Sequence, residues 1–151
     1  MRDQPLIIRT SAFFGPWDEY YFLATSLTAV ANGAPVEAAD DLIVSPTYVP
    51  DLANAALDLL IDDERGIWHL ANMGETSWAQ FARRAAESAG LDAGLIVGRP
   101  ASALGYSAPR PRYSALTSAR GSLMPSLDDA LARYTSDCAE LAGASTQAAN
   151  A

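Results

Sequence analysis

Leu6-Ile7-Ile8 is a continuous apolar run, preceded by Pro5 and closed by Arg9-Thr10-Ser11 and the break at Gly15-Pro16. Those breaks leave little room for a helix, so the run reads as a strand buried on both faces, the kind found inside parallel sheets. Such a strand needs neighbours on either side and helices above and below it. It begins at residue 6, and the expectation is a chain that forms the second part of a larger fold.

The pattern downstream alternates. Tyr20 to Asn32 predicts a helix, with Leu23, Leu27 and Val30 at helical spacing and Asn32-Gly33 as the stop. Val36 to Val44 holds two short extended pieces around an Asp40-Asp41 turn. Ser45-Pro46-Thr47-Tyr48 reads as a loop before a helix from about Pro50 to Ile61, with Leu52, Ala56, Leu59 and Leu60 on one side. Ile67 to Leu70 and Leu95 to Val97 are short strands. Between them Ser77 and Gln80 form an S-x-x-Q capping pair for a helix that stops at Gly90. Residues 98–125 read as an ordered loop, and Ser126 opens a last helix to about Leu141 striped with Leu127, Ala130, Leu131 and Tyr134. The small and polar residues of 143–151 predict a disordered tail, leaving 1–142 as the folded unit. The alternation of strands and helices predicts an α/β protein.

Charge removes several functions. Ten arginines, no lysine and eighteen carboxylates give a net charge of −8, which argues against a nucleic-acid platform. Without Lys, neither a Walker-type phosphate loop nor a Schiff base is available. Gly90, Gly94 and Gly98 follow a helix and do not make a dinucleotide fingerprint. His69, the single His, sits mid-strand with no nucleophile elbow elsewhere and reads as a hydrogen-bonded strand residue. No ligand spacing points to a metal. Cys138 is the lone cysteine, no run of about twenty apolar residues is present, and the N-terminus lacks a secretory signal. A cytoplasmic protein that binds neither nucleic acid nor membrane is the expectation.

Two groups of residues remain open. Arg110 and Arg112, between prolines in Pro109-Arg110-Pro111-Arg112-Tyr113, either clamp a diphosphate in fork geometry or make ordinary surface links. The hydroxyls of Ser45, Thr47 and Tyr48 precede a helix N-terminus, where they either receive an anion or sugar or simply open the helix.

Five segments in order then carry a resemblance: Arg9 to Pro16, Asp40 to Ala53, Gly66 to Asn72, Gly74 to Ala82, and Pro109 to Leu116, followed by an amphipathic helix. Over residues 5–141 they resemble the C-terminal half of the dTDP-4-dehydrorhamnose reductases, extended short-chain dehydrogenases/reductases. The resemblance implies the C-terminal part of a Rossmann-type fold with a small mixed α/β substrate-binding lobe. It implies NAD(P)H-dependent reduction of the 4-keto group of dTDP-4-dehydro-L-rhamnose. The family's Gly-rich loop and Tyr-x-x-x-Lys lie in an N-terminal Rossmann part expected to precede Leu6, so no catalytic residue is assigned here and NADPH or NADH would not be held by this chain alone. Thr10, Ser11 and Phe13 would border the cofactor, and Ser11, Ala12, Tyr21, Ser45, Thr47, Tyr48, Arg110 and Arg112 would bind the nucleotide sugar. Ala12 stands where the family commonly has Trp, and Tyr21 where many relatives have Asn. The helix around Trp78 and Phe81, and Trp68, would be packing. A nucleotide-sugar epimerase or dehydratase fragment and a non-catalytic regulatory module of the same superfamily are the alternatives, and a homodimer is a further expectation.

Overall fold

The computed structural model describes residues 4–149, with side chains through residue 141. The opening run forms β1 (Leu6–Arg9) and pairs in parallel with β6 (Gly66–His69), Ile7 opposite Ile67 and Ile8 opposite Trp68. Helix α2 (Val49–Ile61) covers one face of this pair, where Leu6, Ile8, Leu52, Ala55, Leu59, Trp68, Leu70 and Met124 pack together. The other face is bare: Ile7 is 44% and Ile67 47% exposed. The strand therefore departs from the expectation of burial on both faces, because among the described residues a helix layer lies on one side only.

Three further small sheets complete the strand inventory of the described residues. β2 (Phe13–Phe14) pairs in parallel with β5 (Thr47–Tyr48), and β3 (Val36–Ala39) with β8 (Ile96–Arg99). β4 (Ile43–Val44) lies between antiparallel β7 (Thr76–Ser77) and parallel β9 (Tyr113–Ser114). The segment expected to be a loop at 45–48 is thus half strand, and all four of its residues are buried.

The main core joins α1 (Phe22–Ala31), α3 (Trp78–Ser88) and α4 (Leu127–Ala149) around Phe14 and Tyr48. Phe14 stacks edge-on against Phe81 and Tyr134 at centroid distances of 5.2 and 5.6 Å. The predicted α4 stripe of Leu127, Ala130, Leu131 and Tyr134 is buried as expected. On α2 the buried row is Asp51, Ala55 and Leu59, whereas Leu60 is 62% exposed. The helix turned so that a carboxylate could reach a buried partner.

Ser77 accepts a bond from Gln80 N at 3.2 Å, one half of the expected capping pair, and Gly90 takes the positive φ of 68° that ends α3. The α4 backbone continues to Ala149, consistent with the high helix propensity of the four alanines in 142–149, and residues 150–151 lie outside the described ones.

Candidate functional site

β1 delivers the chain into a turn at Ser11-Ala12, at the carboxyl end of a parallel strand, where open α/β sheets place their ligand sites. Ala12 has φ 42°, a left-handed conformation that L residues with a Cβ avoid. Its carbonyl accepts from Thr47 N at 2.9 Å, which fixes the turn on β5. Ser11 and Ala12 form one wall of a cavity of about 160 Å³, with Leu42, Trp78, Arg110 and Ser114 on the others. Trp78 opens α3 and meets Phe22 edge-on at 5.0 Å, so its ring is packed on one side and lines the cavity on the other. Ser114 on β9 donates to Ile43 O at 3.2 Å.

A second groove of about 400 Å³ adjoins it, lined by Asp41, Ser102, Tyr106, Ser107, Arg110 and Arg112 among others. Arg110 lines both. Its guanidinium lies over the Tyr106 ring, 4.6 Å from the centroid. The loop carrying these residues is fastened at three points. Ala101 N donates to Asp41 at 2.8 Å, Ile43 N to Arg112 O at 2.9 Å, and Leu116 N to the Ser45 hydroxyl at 3.0 Å.

Of the nine described arginines, six hold carboxylates or backbone carbonyls: Arg65, Arg83, Arg84, Arg99, Arg120 and Arg133. Among the described residues Arg110 and Arg112 make no ion pair or side-chain hydrogen bond, and both are exposed. In a chain of net charge −8, these two guanidiniums carry no ion pair, so their N–H donors stay available to an anion, although the Asp41 carboxylate lines the same groove.

The sequence-derived residues divide on this geometry. Ser11, Ala12 and Arg110 come together on one cavity, with Arg112 in the adjoining groove. Ser45, Thr47 and Tyr48 are fully buried instead: Ser45 holds the 116 segment, Thr47 accepts from the Thr10 hydroxyl at 3.0 Å, and Tyr48 sits in the core. Burial and a bond from its hydroxyl to Asp137 push the Tyr48 pKa well above the ordinary phenol range. Tyr21 and Phe13 are exposed and line neither space, and Thr10 is committed to Thr47. Trp78, read as packing, is a cavity wall, and Tyr106, which no motif marks, lines the groove. The signal for Tyr106 was its place four residues before Arg110 in the same Pro- and Gly-rich segment.

A polar latch joins α2, α4 and the segment after β6. Asp51 accepts a two-pronged bond from Arg133 at 2.6 and 2.8 Å and a third from Asn72 at 2.8 Å; Asn72 in turn accepts from Tyr48 N at 2.7 Å. Burial pulls the Asp51 pKa upward, but the Arg133 and Asn72 bonds outweigh it and hold the carboxyl below its usual range. His69 behaves as the sequence reading expected, its Nδ1–H donating to Thr117 O at 3.0 Å. The cavity of about 250 Å³ beside it is lined by no arginine.

Strands with parallel partners, helices packed between them and a cavity at the carboxyl end of β1 define a class: the C-terminal part of a Rossmann-type extended short-chain dehydrogenase/reductase. Residues 2–142 match the RmlD substrate binding domain, and the chain belongs to that family. It is 36% identical over 111 residues to the spore coat polysaccharide biosynthesis protein SpsK of Bacillus subtilis, covering 74% of this chain and 38% of that protein. It is 36% identical over 120 residues to the dTDP-4-dehydrorhamnose reductase of Mycobacterium tuberculosis strain H37Rv, covering 78% and 39%. The crystal structure of dTDP-4-dehydrorhamnose reductase from Bacillus anthracis in complex with NADP superposes with a TM-score of 0.79 at 29% identity, covering 85% of this chain and 47% of that one. The chain thus spans about two fifths of the length of these curated relatives.

The turn after β1, Thr10-Ser11-Ala12-Phe13, has no glycine through which a backbone could approach a pyrophosphate, and the Thr10 hydroxyl is already bonded. Of the expected cofactor set Ser11 lines the cavity, while Phe13 is exposed outside it. No helix among the described residues is long and apolar enough to cross a membrane.

Proposed function

We propose that this chain is the substrate-binding portion of an NAD(P)H-dependent reductase of the dTDP-4-dehydrorhamnose reductase type, with a dTDP-sugar or related nucleotide sugar as ligand. The observation that carries the reading is the pairing of the Ser11-Ala12 cavity with two uncommitted arginines, Arg110 and Arg112. A nucleotide sugar joins an anionic diphosphate to a neutral, hydroxyl-rich ring, and the site offers guanidiniums next to the hydroxyls of Ser11 and Ser114. The dinucleotide supplies a hydride when bound. This chain's residues orient the sugar and neutralise the diphosphate, while an N-terminal Rossmann part joins at the bare face of β1 and β6. That part would provide the cofactor cradle and the proton donor.

Titration calorimetry with dTDP on the 151-residue chain tests the reading. Arg110→Ala and Arg112→Ala should each weaken binding by roughly 1.5–3 kcal/mol, the worth of a charge-assisted hydrogen bond. The chain alone should show no NADPH-dependent reduction of a dTDP-4-keto sugar. Unchanged affinity in both variants, or turnover by the isolated chain, would contradict it.

A further inference from the structure

Two adjoining spaces meet at Arg110, and they differ in size and chemistry. The cavity of about 160 Å³ is walled by Ser11, Ala12, Trp78 and Ser114, which suits one six-membered ring carrying hydroxyls. The groove of about 400 Å³ holds Tyr106, Asp41, Ser102 and Ser107, enough for the larger two-ring end of a nucleotide. Tyr106 is 41% exposed, with Arg110 on one side of its ring, so aromatic surface remains for a flat partner. Asp41 settles the orientation within the groove. Its carboxylate repels phosphate and attracts N–H and O–H donors, so a base and ribose belong beside it and the charged linker belongs at the arginine junction.

Resting on the nucleotide-sugar reading above, we propose that the nucleoside end of the ligand occupies the 101–112 groove with its base stacked on Tyr106. Arg110 takes the diphosphate at the junction of the two spaces, and the sugar enters the Ser11–Ser114 cavity. The arrangement makes Tyr106 a determinant of nucleotide affinity that has no part in binding a bare anion.

The test compares dTDP with inorganic pyrophosphate, by calorimetry, on the 151-residue chain and on Tyr106→Ala, Tyr106→Phe and Arg110→Ala. Tyr106→Ala should weaken dTDP on the order of 10-fold, the scale of one lost base–aromatic stack. Pyrophosphate should bind this variant as it binds the parent chain, and Tyr106→Phe should keep dTDP affinity because the ring, not the hydroxyl, is used. Arg110→Ala should weaken both ligands. Equal dTDP binding by Tyr106→Ala and the parent overturns the base assignment while leaving the arginine site standing. Equal losses of dTDP and pyrophosphate in Tyr106→Ala overturn it too, since they mean the ring only braces Arg110. Failure of the parent chain to bind dTDP sinks the site itself. Tyr106 is exposed on a loop, and matching thermal melts of parent and variants confirm that the fold is intact.

Discussion

Ala12 shows how much one residue can record. A φ of 42° costs a residue with a Cβ about 1–2 kcal/mol relative to the right-handed regions, and the bond from Thr47 N to the Ala12 carbonyl holds it there. Glycine occupies such a conformation without that cost, though it surrenders more freedom on folding. Ala12→Gly should therefore leave stability equal or raise it by up to about 1 kcal/mol in urea melts, and a clear loss would mean the turn is not strained. At this scale the sequence was legible where chemistry was unshared: Arg110 and Arg112 had no carboxylate nearby in the chain, and they remain uncommitted. It was silent where a polar residue finds its partner only in the folded chain. Ser45, Thr47 and Tyr48 look like ligand hydroxyls in one dimension, yet each meets its partner only through the folded chain: Leu116 N, the Thr10 hydroxyl and Asp137.

Helices were easier to read than the short strands that join them. The α4 and α1 stripes follow from apolar spacing, which needs no knowledge of the rest of the molecule. The two-residue strands β2, β4, β5, β7 and β9 have too few positions to show a period, and their pairing is wholly tertiary. The α2 stripe was misplaced for a related reason: Asp51 faces inward because Arg133 on α4 and Asn72 after β6 are there to receive it. Asp51→Asn should destabilise by about 2–3 kcal/mol, less than for a fully buried pair because Arg133 keeps 38% of its side chain exposed. The pH dependence has a definite sign. A carboxyl held below its unfolded value of about 4 contributes fully above that pH and loses its contribution as the pH falls through the depressed folded value. Urea midpoints between pH 6 and pH 3 should fall for the parent chain, and the fall should be shallower for Asp51→Asn. Parallel slopes for the two would remove the latch from the acid response.

For the whole molecule, the α/β class was visible from the alternation of elements, and the resemblance supplied the architecture that alternation alone left open. The sequence reading asks for helices above and below β1, and among the described residues one of those faces is bare. Parallel sheets are normally covered on both sides, and here Ile7 and Ile67 stand opposite each other in register without a helix above them. Among the described residues β1 has one hydrogen-bonded neighbour, so a row of backbone donors and acceptors accompanies that apolar surface. Kept at high concentration in isolation, the chain should form oligomers by strand addition at this border. Light scattering should report particles whose size grows with concentration. Replacing Ile7 with Arg should suppress them without lowering the melting temperature by more than a few degrees, since the side chain already meets water. The border at which the proposed Rossmann part would complete the sheet is thus a solubility hazard for the isolated chain.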